Sequence, residues 1–273
     1  MNPLLRVEGL SKRYGARPAV VDVSFTLAPG EVVAFLGRNG AGKSTVLKIL
    51  CGLVRPDAGQ AWLDGVPLLR SVPLLRGIPL LRSIPLLRSV PLLRGIPLLR
   101  SAPLLDAGPA GRRALGAAIE APRFYPHLSG RRNLALVARL LGAEAAVPAM
   151  LERVGLADRA GERFGRYSMG MKQRLGLAAA FVHRPRLVLL DEPTAGLDPV
   201  GYAQIHELIR TLVRERGAAV LLCTHQLAEA AALCERALAI EAGRLVLNES
   251  LSRSEGLAAV QALFDRMAQG GAA

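Results

Sequence analysis

Cysteine, aromatic residues and lysine are all scarce in this chain of 273 residues. Three cysteines (Cys51, Cys223, Cys234), none in CxxC spacing, are too few for a disulfide framework, and a reducing compartment is the simpler setting. One Trp, four Tyr and six Phe offer few stacking platforms for single-stranded nucleic acid. No uninterrupted apolar run reaches the ~18 residues that a membrane-spanning helix needs, and the start Met-Asn-Pro-Leu-Leu-Arg lacks the apolar centre of a signal peptide. The chain is therefore expected to be soluble, or held at a membrane only through another component.

What is present is apolar: 51% of the residues are hydrophobic, which excludes disorder as a global description and suffices for one large α/β domain or two small ones. The net charge of +13 would point to nucleic acid if it were spread over a surface, but residues 70–105 alone hold six arginines and no acid. That segment is a repeat. From Pro67 the chain reads PLLRSV, PLLRGI, PLLRSI, PLLRSV, PLLRGI, PLLRSA and then PLLDAG, with a proline every six residues up to Pro103. Proline at that spacing forbids a continuous helix or a central strand, so the 67–105 insertion is expected to be disordered or polyproline-like. Removing residues 70–105 restores a short Gly-Val-Pro-Leu-Leu-Asp-Ala-Gly loop, which reads as tandem duplication inside a surface loop. Lengthening a loop in this way costs only about 1.3 kcal/mol of closure entropy. The competing reading is a basic, apolar arm with a task of its own.

Only four lysines occur, which makes the setting of Lys43 informative. The apolar run Val32–Leu36 leads into Gly37-Arg38-Asn39-Gly40-Ala41-Gly42-Lys43-Ser44-Thr45, followed by Val46-Leu47-Lys48-Ile49-Leu50 at helical spacing. Strand, glycine-rich turn and helix are the context that GxxxxGK[ST] requires. Glycines let the backbone close round phosphates and present N–H donors at a helix N-terminus, Lys43 would reach the β- and γ-phosphates, and the Ser44 hydroxyl would bind Mg²⁺. A second apolar run, Leu187–Leu190, ends in Asp191-Glu192. An acid at the carboxyl end of a parallel strand lies beside a neighbouring phosphate loop, so Asp191 suits Mg²⁺ and Glu192 suits a water aimed at the γ-phosphate.

In these motifs the chain resembles the nucleotide-binding subunits of ATP-binding cassette (ABC) transporters, from about Leu4 to Leu247 with the repeat as the interruption. In Lys-Arg-Tyr-Gly, Tyr14 matches the aromatic that stacks on adenine. Tyr167-Ser168-Met169-Gly170-Met171-Lys172-Gln173-Arg174 resembles the signature segment, keeping Ser168 and Gly170 while Met169 and Met171 replace the usual glycine and glutamine. Ala195-Gly196-Leu197-Asp198 matches the D-loop, and His225 in Cys-Thr-His-Gln matches the switch histidine. Glu120 stands where the family usually has a Mg²⁺- and water-contacting glutamine. The segment Ile119–Leu134 around it is similar to the bacitracin- and lantibiotic-resistance branch.

The resemblance implies a P-loop NTPase core with a mostly parallel sheet, an antiparallel β layer and a helical subdomain, all in one domain over residues 1–273. Strands are expected at 31–36, 187–190 and 219–223 in the core and at 5–9, 20–27 and 60–63 in the side layer. Residues from about 126 to 184 read as mostly helical, with Leu134, Val137, Leu140 and Leu141 as an apolar stripe. ATP and Mg²⁺ are the implied cofactors, with Gly37, Asn39, Gly40, Gly42, Lys43, Ser44 and Thr45 on the phosphates, Asp198 at the nucleotide, and Ser44, Glu120 and Asp191 on the metal. Glu192 and His225 are the implied catalytic pair. The implied partners are a separate transmembrane permease and a second ATPase subunit whose Ser168 and Gly170 cover the nucleotide. This places the chain in the cytoplasm, peripheral on the inner face of the cell membrane, as the engine of an exporter. The alternative is a non-transport ABC ATPase acting on nucleic acid or the ribosome. Such proteins usually carry paired cassettes or a long coiled-coil insertion, neither of which occurs here, so no nucleic acid is expected.

Overall fold

The computed structural model describes residues 2–68, 114–119 and 124–251, together with isolated positions between 258 and 265. The repeat beyond Leu68 and the expected metal ligand Glu120 lie outside the described residues.

Two sheets share the fold. The first is antiparallel, ordered β2-β1-β4-β5, from β1 (Leu5–Tyr14), β2 (Arg17–Leu27), β4 (Ala58–Leu63) and β5 (Val66–Pro67). The second has the order β10-β9-β3-β8-β7-β6, from β3 (Val32–Leu36), β6 (Leu115–Ala118), β7 (Leu187–Asp191), β8 (Ala219–Thr224), β9 (Arg236–Glu241) and β10 (Arg244–Ser250). It is parallel from β9 to β6, and β10 closes the β9 edge as an antiparallel hairpin strand. Among the described residues the α-helices are α1 (Lys43–Leu50), α2 (Gly130–Leu140), α3 (Val147–Arg153), α4 (Met169–Phe181), α5 (Pro199–Arg216) and α6 (Leu227–Leu233).

The central strands are continuous apolar runs because both of their faces are covered. Val33, Phe35, Leu187, Leu189, Leu221 and Leu238 pack into one core with α1 and the antiparallel sheet. Val32, Ala34, Val188, Leu190, Val220 and Leu222 pack into a second core with α2 to α6. Alternate residues of one strand thus anchor opposite halves of the molecule. Phe35 is fully buried, and truncation to Ala would cost about 3–5 kcal/mol.

The expected strands are present, those of the core within one residue of the expected bounds and those of the side layer longer by two to five residues, and two differences are informative. Leu140 is not part of the α2 stripe: its side chain is 46% exposed, while Leu134, Val137 and Ala138 are buried. Six residues from Leu134 is a turn and two-thirds, which leaves Leu140 about 120° round the helix from it and off the buried face. The β9–β10 pair also extends the sheet beyond the three core strands read from the sequence.

Helix ends follow local chemistry. Ser129 caps α2 by accepting from the Arg132 N–H, and Ser168 caps α4 by accepting from the Met171 N–H. In α5, Asp198 accepts from the Gly201 N–H, Pro199 occupies the first turn and Gly217 ends the helix in a left-handed conformation. Helix α1 differs from these three in having no side-chain cap.

Candidate functional site

The uncapped start of α1 opens onto a cavity of about 520 Å³ lined by Tyr14, Arg17, Ala19, Asn39, Gly40, Gly42, Lys43, Ser44, Thr45 and Glu192. The first turn of the helix, Lys43-Ser44-Thr45, is therefore part of its wall, and helix N–H groups without internal partners are donors for an anion. Gly42 precedes them at φ +116°, a conformation that L side chains rarely adopt, and a Cβ there would overlap the carbonyl oxygen of Ala19. A Cβ on Gly37 would likewise stand 2.5 Å from the carbonyl oxygen of Ile240, so this residue lets the loop pack against β9. Lys43 is buried and donates from Nζ to the carbonyl oxygens of Gly37 (2.6 Å) and Arg38 (3.2 Å). Its ammonium group thus holds the loop in a ring round itself.

The acids arrive from β7. Ser44 forms a side-chain hydrogen bond to Asp191. Burial pushes the Asp191 carboxyl above its ordinary range, and the neighbouring charge of Glu192 adds to this, while the Ser44 bond and the charges of Lys43 and Lys48 oppose it. The next residue leaves the strand sharply. Glu192 has φ +48°, and its N–H donates to the Cys223 carbonyl oxygen at 2.9 Å. A left-handed conformation costs a non-glycine residue roughly 1–2 kcal/mol, and here it accompanies a carboxylate on the cavity wall. Glu192 Oε1 lies 2.9 Å from Nδ1 of His225, which follows β8. A carboxylate only accepts, so the imidazole donates through Nδ1.

Most expected site residues therefore converge. Tyr14, Asn39, Gly40, Gly42, Lys43, Ser44, Thr45 and Glu192 share one cavity, while Asp191 and His225 bond directly to members of that set. Ser168, Gly170 and Asp198 do not line it. They stand at the starts of α4 and α5, where a Cβ on Gly170 would be 3.9 Å from Cδ2 of Leu197. Arg17 and Ala19 are cavity residues that no motif spacing pointed to. Their signal was the Gly15-Ala16 turn, which pairs Tyr14 with Arg17 across the β1–β2 hairpin. The three cysteines are free and buried, and burial pushes the Cys223 thiol well up, as expected of structural rather than reactive thiols.

Whether the site suits Mg²⁺ turns on its oxygens. Among the described residues no group of three or more His, Cys, Asp and Glu gathers as a metal site. Mg²⁺ bound beside phosphates needs only one or two protein oxygens, with phosphate and water supplying the rest. The Ser44 hydroxyl bonded to a charge-crowded Asp191 carboxylate is a fitting pair.

Comparison with known proteins agrees with this geometry. A family profile described as ABC transporter matches residues 20–195. The bacitracin transport ATP-binding protein BcrA of Bacillus licheniformis is 32% identical over 248 residues, covering 90% of this chain and 69% of that protein. The lantibiotic transport ATP-binding protein SrtF of Streptococcus pyogenes is 31% identical, covering 96% of this chain and 99% of its own length. A fluoroquinolones export ATP-binding protein of Mycobacterium tuberculosis is 36% identical over 90% of this chain and 71% of its own. A solved ATP-binding subunit of an ABC transporter superposes with a TM-score of 0.70 at 30% identity, covering 91% of this chain and 90% of that one. The chain belongs to the ABC transporter ATP-binding family. It is an ATP-binding, ATP-hydrolysing subunit of that type, with a P-loop NTPase fold. Among the described residues no helix is long and apolar enough to cross a membrane.

Proposed function

We propose that this subunit drives a separate membrane permease that exports a drug, a peptide antibiotic or a lipid-like molecule, working from the inner face of the cell membrane. The cargo class is carried over from relatives named for bacitracin, lantibiotic and fluoroquinolone transport. The chain is read as one ABC ATPase domain over residues 1–273, with the 67–105 insertion in a loop and the helical subdomain at about 126–184 meeting the permease.

In this reading the first turn of α1 and Lys43 hold the phosphates of ATP, and Tyr14 stacks on the adenine. Ser44 and Asp191 hold Mg²⁺, with Glu120 added by resemblance. A cation held there would supply positive charge to offset that of the phosphates. Glu192 accepts a proton from water as the water oxygen bonds to the γ-phosphorus. The bond from that phosphorus to the bridging oxygen breaks, and ADP leaves with the electron pair. His225 orients the carboxylate through Nδ1 and, by resemblance, contacts the γ-phosphate. A second subunit covers the nucleotide with its Ser168 and Gly170 and adds its Asp198, so closure of two copies completes each site.

The observation that carries the reading is the 2.9 Å bond between Glu192 and His225 at a cavity floored by the phosphate loop. Glu192→Gln is expected to cut steady-state ATP turnover by at least about 100-fold while ATP binding survives, because the base is lost and the phosphate loop is untouched. Wild-type turnover in E192Q, purified free of other ATPases, would overturn the assignment.

A further inference from the structure

A polar cluster lies beneath the Glu192–His225 pair and belongs to no motif read from the sequence. Thr194, His206 and Glu229 are buried at 3%, 5% and 1% exposure. The Thr194 hydroxyl donates to Glu229 Oε1 at 2.7 Å, and Nε2 of His206 lies 3.4 Å from the same oxygen. The His206 ring packs against that of Tyr202, with centroids 4.0 Å apart and the planes tilted by 45°. Glu229 Oε2 and the Tyr202 hydroxyl are buried without a hydrogen-bond partner among the described residues. Packing alone would favour apolar side chains here, because each unpartnered buried oxygen opposes folding.

The position of the cluster gives the carboxylate a task. Thr194 stands two residues after Glu192, in a turn closed by the bond from the Ala195 N–H to the Glu192 carbonyl oxygen (3.1 Å). Glu229 stands four residues after His225, in the first turn of α6. The Thr194–Glu229 bond therefore joins the same two segments that Glu192 and His225 join above it. The upper link is exposed, with side-chain accessibilities of 45% for His225 and 29% for Glu192, and water competes for it. The lower link is buried, and His206 ties it to α5. A bond shielded from water holds two loops in register better than one at the surface.

We propose that Thr194, Glu229 and His206 are positioning residues that set Glu192 and His225 against each other. This rests on the reading of Glu192 as the group that acts on water. None of the three lines the nucleotide cavity, so the relay acts on the chemical step and leaves nucleotide binding alone. It works by hydrogen bonding, which glutamine at 229 or serine at 194 would preserve.

The test is steady-state turnover and equilibrium ATP binding of the full chain carrying E229A, E229Q, T194V or T194S, with E192Q as the control. E229A and T194V are expected to lower kcat by about 10- to 100-fold, the range for small misplacement of a reacting group, with KM and ATP affinity within about twofold. E229Q and T194S should recover most of the loss. Should E229A fail to fold, the T194V and T194S pair carries the same comparison. The relay is refuted if E229A and T194V turn over at the wild-type rate while E192Q is dead. It is also refuted if ATP binding falls in step with kcat, or if E229Q and T194S are as impaired as E229A and T194V. Full turnover in E192Q would instead remove the underlying reading, and the relay with it.

Discussion

Gly42 and Gly170 both belong to glycine-bearing motifs at the start of a helix, yet the fold of the chain itself requires only the first. At Gly42 the requirement comes from the chain itself: φ is +116° and the Ala19 carbonyl oxygen occupies the place of a Cβ. At Gly170 no positive φ and no close contact intervenes, the nearest atom to a built Cβ being 3.9 Å away. The α1 start is uncapped and concave, whereas the α4 start is capped by Ser168 and bordered by the 48%-exposed side chain of Met169. One end is shaped by its own fold to receive phosphate. The other presents a glycine that its own fold does not need, and we propose that a second copy does.

The largest effect should fall on the first of these regions. Gly42→Ala has to rebuild the loop, and both the left-handed penalty and the overlap with Ala19 act against it. ATP affinity is expected to fall by about 100-fold or more, equivalent to about 3 kcal/mol, as read by equilibrium binding. Near-native affinity would mean that the loop is more plastic than its backbone angles indicate.

Gly170→Ala sharpens the contrast because its two readouts should move in opposite directions. Replacing a helical glycine by alanine in open space stabilises a fold by about 0.5–1 kcal/mol, so thermal unfolding should rise slightly. Turnover should nevertheless fall by about tenfold or more if a partner's phosphates approach that backbone. Unchanged turnover would remove the proposed role of α4.

A smaller effect concerns Asp191 in the nucleotide-free protein. Its folded-state pKa is raised, chiefly by burial and then by Glu192, so the folded state binds more protons than the unfolded chain between the ordinary aspartate pKa and the raised value. Stability contributed by this group therefore falls as pH climbs through that window and stays reduced above it. Asp191→Asn should flatten this segment of the unfolding-versus-pH curve and raise the melting temperature modestly at neutral pH. It should also weaken the Mg²⁺ dependence of ATP binding. An unchanged curve would show that the acid is not crowded.

Much of the nucleotide cavity was legible in the sequence because its chemistry is local. The spacing from Gly37 to Thr45 dictates a loop geometry, and an apolar run ending in Asp191-Glu192 dictates a strand tip. Arg17 was not legible, since its place depends on how the β1–β2 hairpin folds back across the loop. Thr194, His206 and Glu229 were hidden for the same reason: their bonds span 35 and 23 residues, and no spacing announces them. Leu140 looked like core because leucine is apolar, whereas helical phase decided its face. The Ala242-Gly243 turn between apolar stretches was an unread hairpin signal for β9 and β10.

The division of one site between two copies is tested most directly by mixing two defective subunits. Lys43→Ala removes the phosphate-binding half and Gly170→Asp the covering half, so each protein alone should be inactive. In a mixed dimer both defects fall in one composite site and the other site is intact. Equal amounts should recover about a quarter of wild-type turnover, because half of randomly paired dimers are mixed and each keeps one of its two sites. No recovery, with mixed dimers demonstrated by differential tagging, would contradict the account.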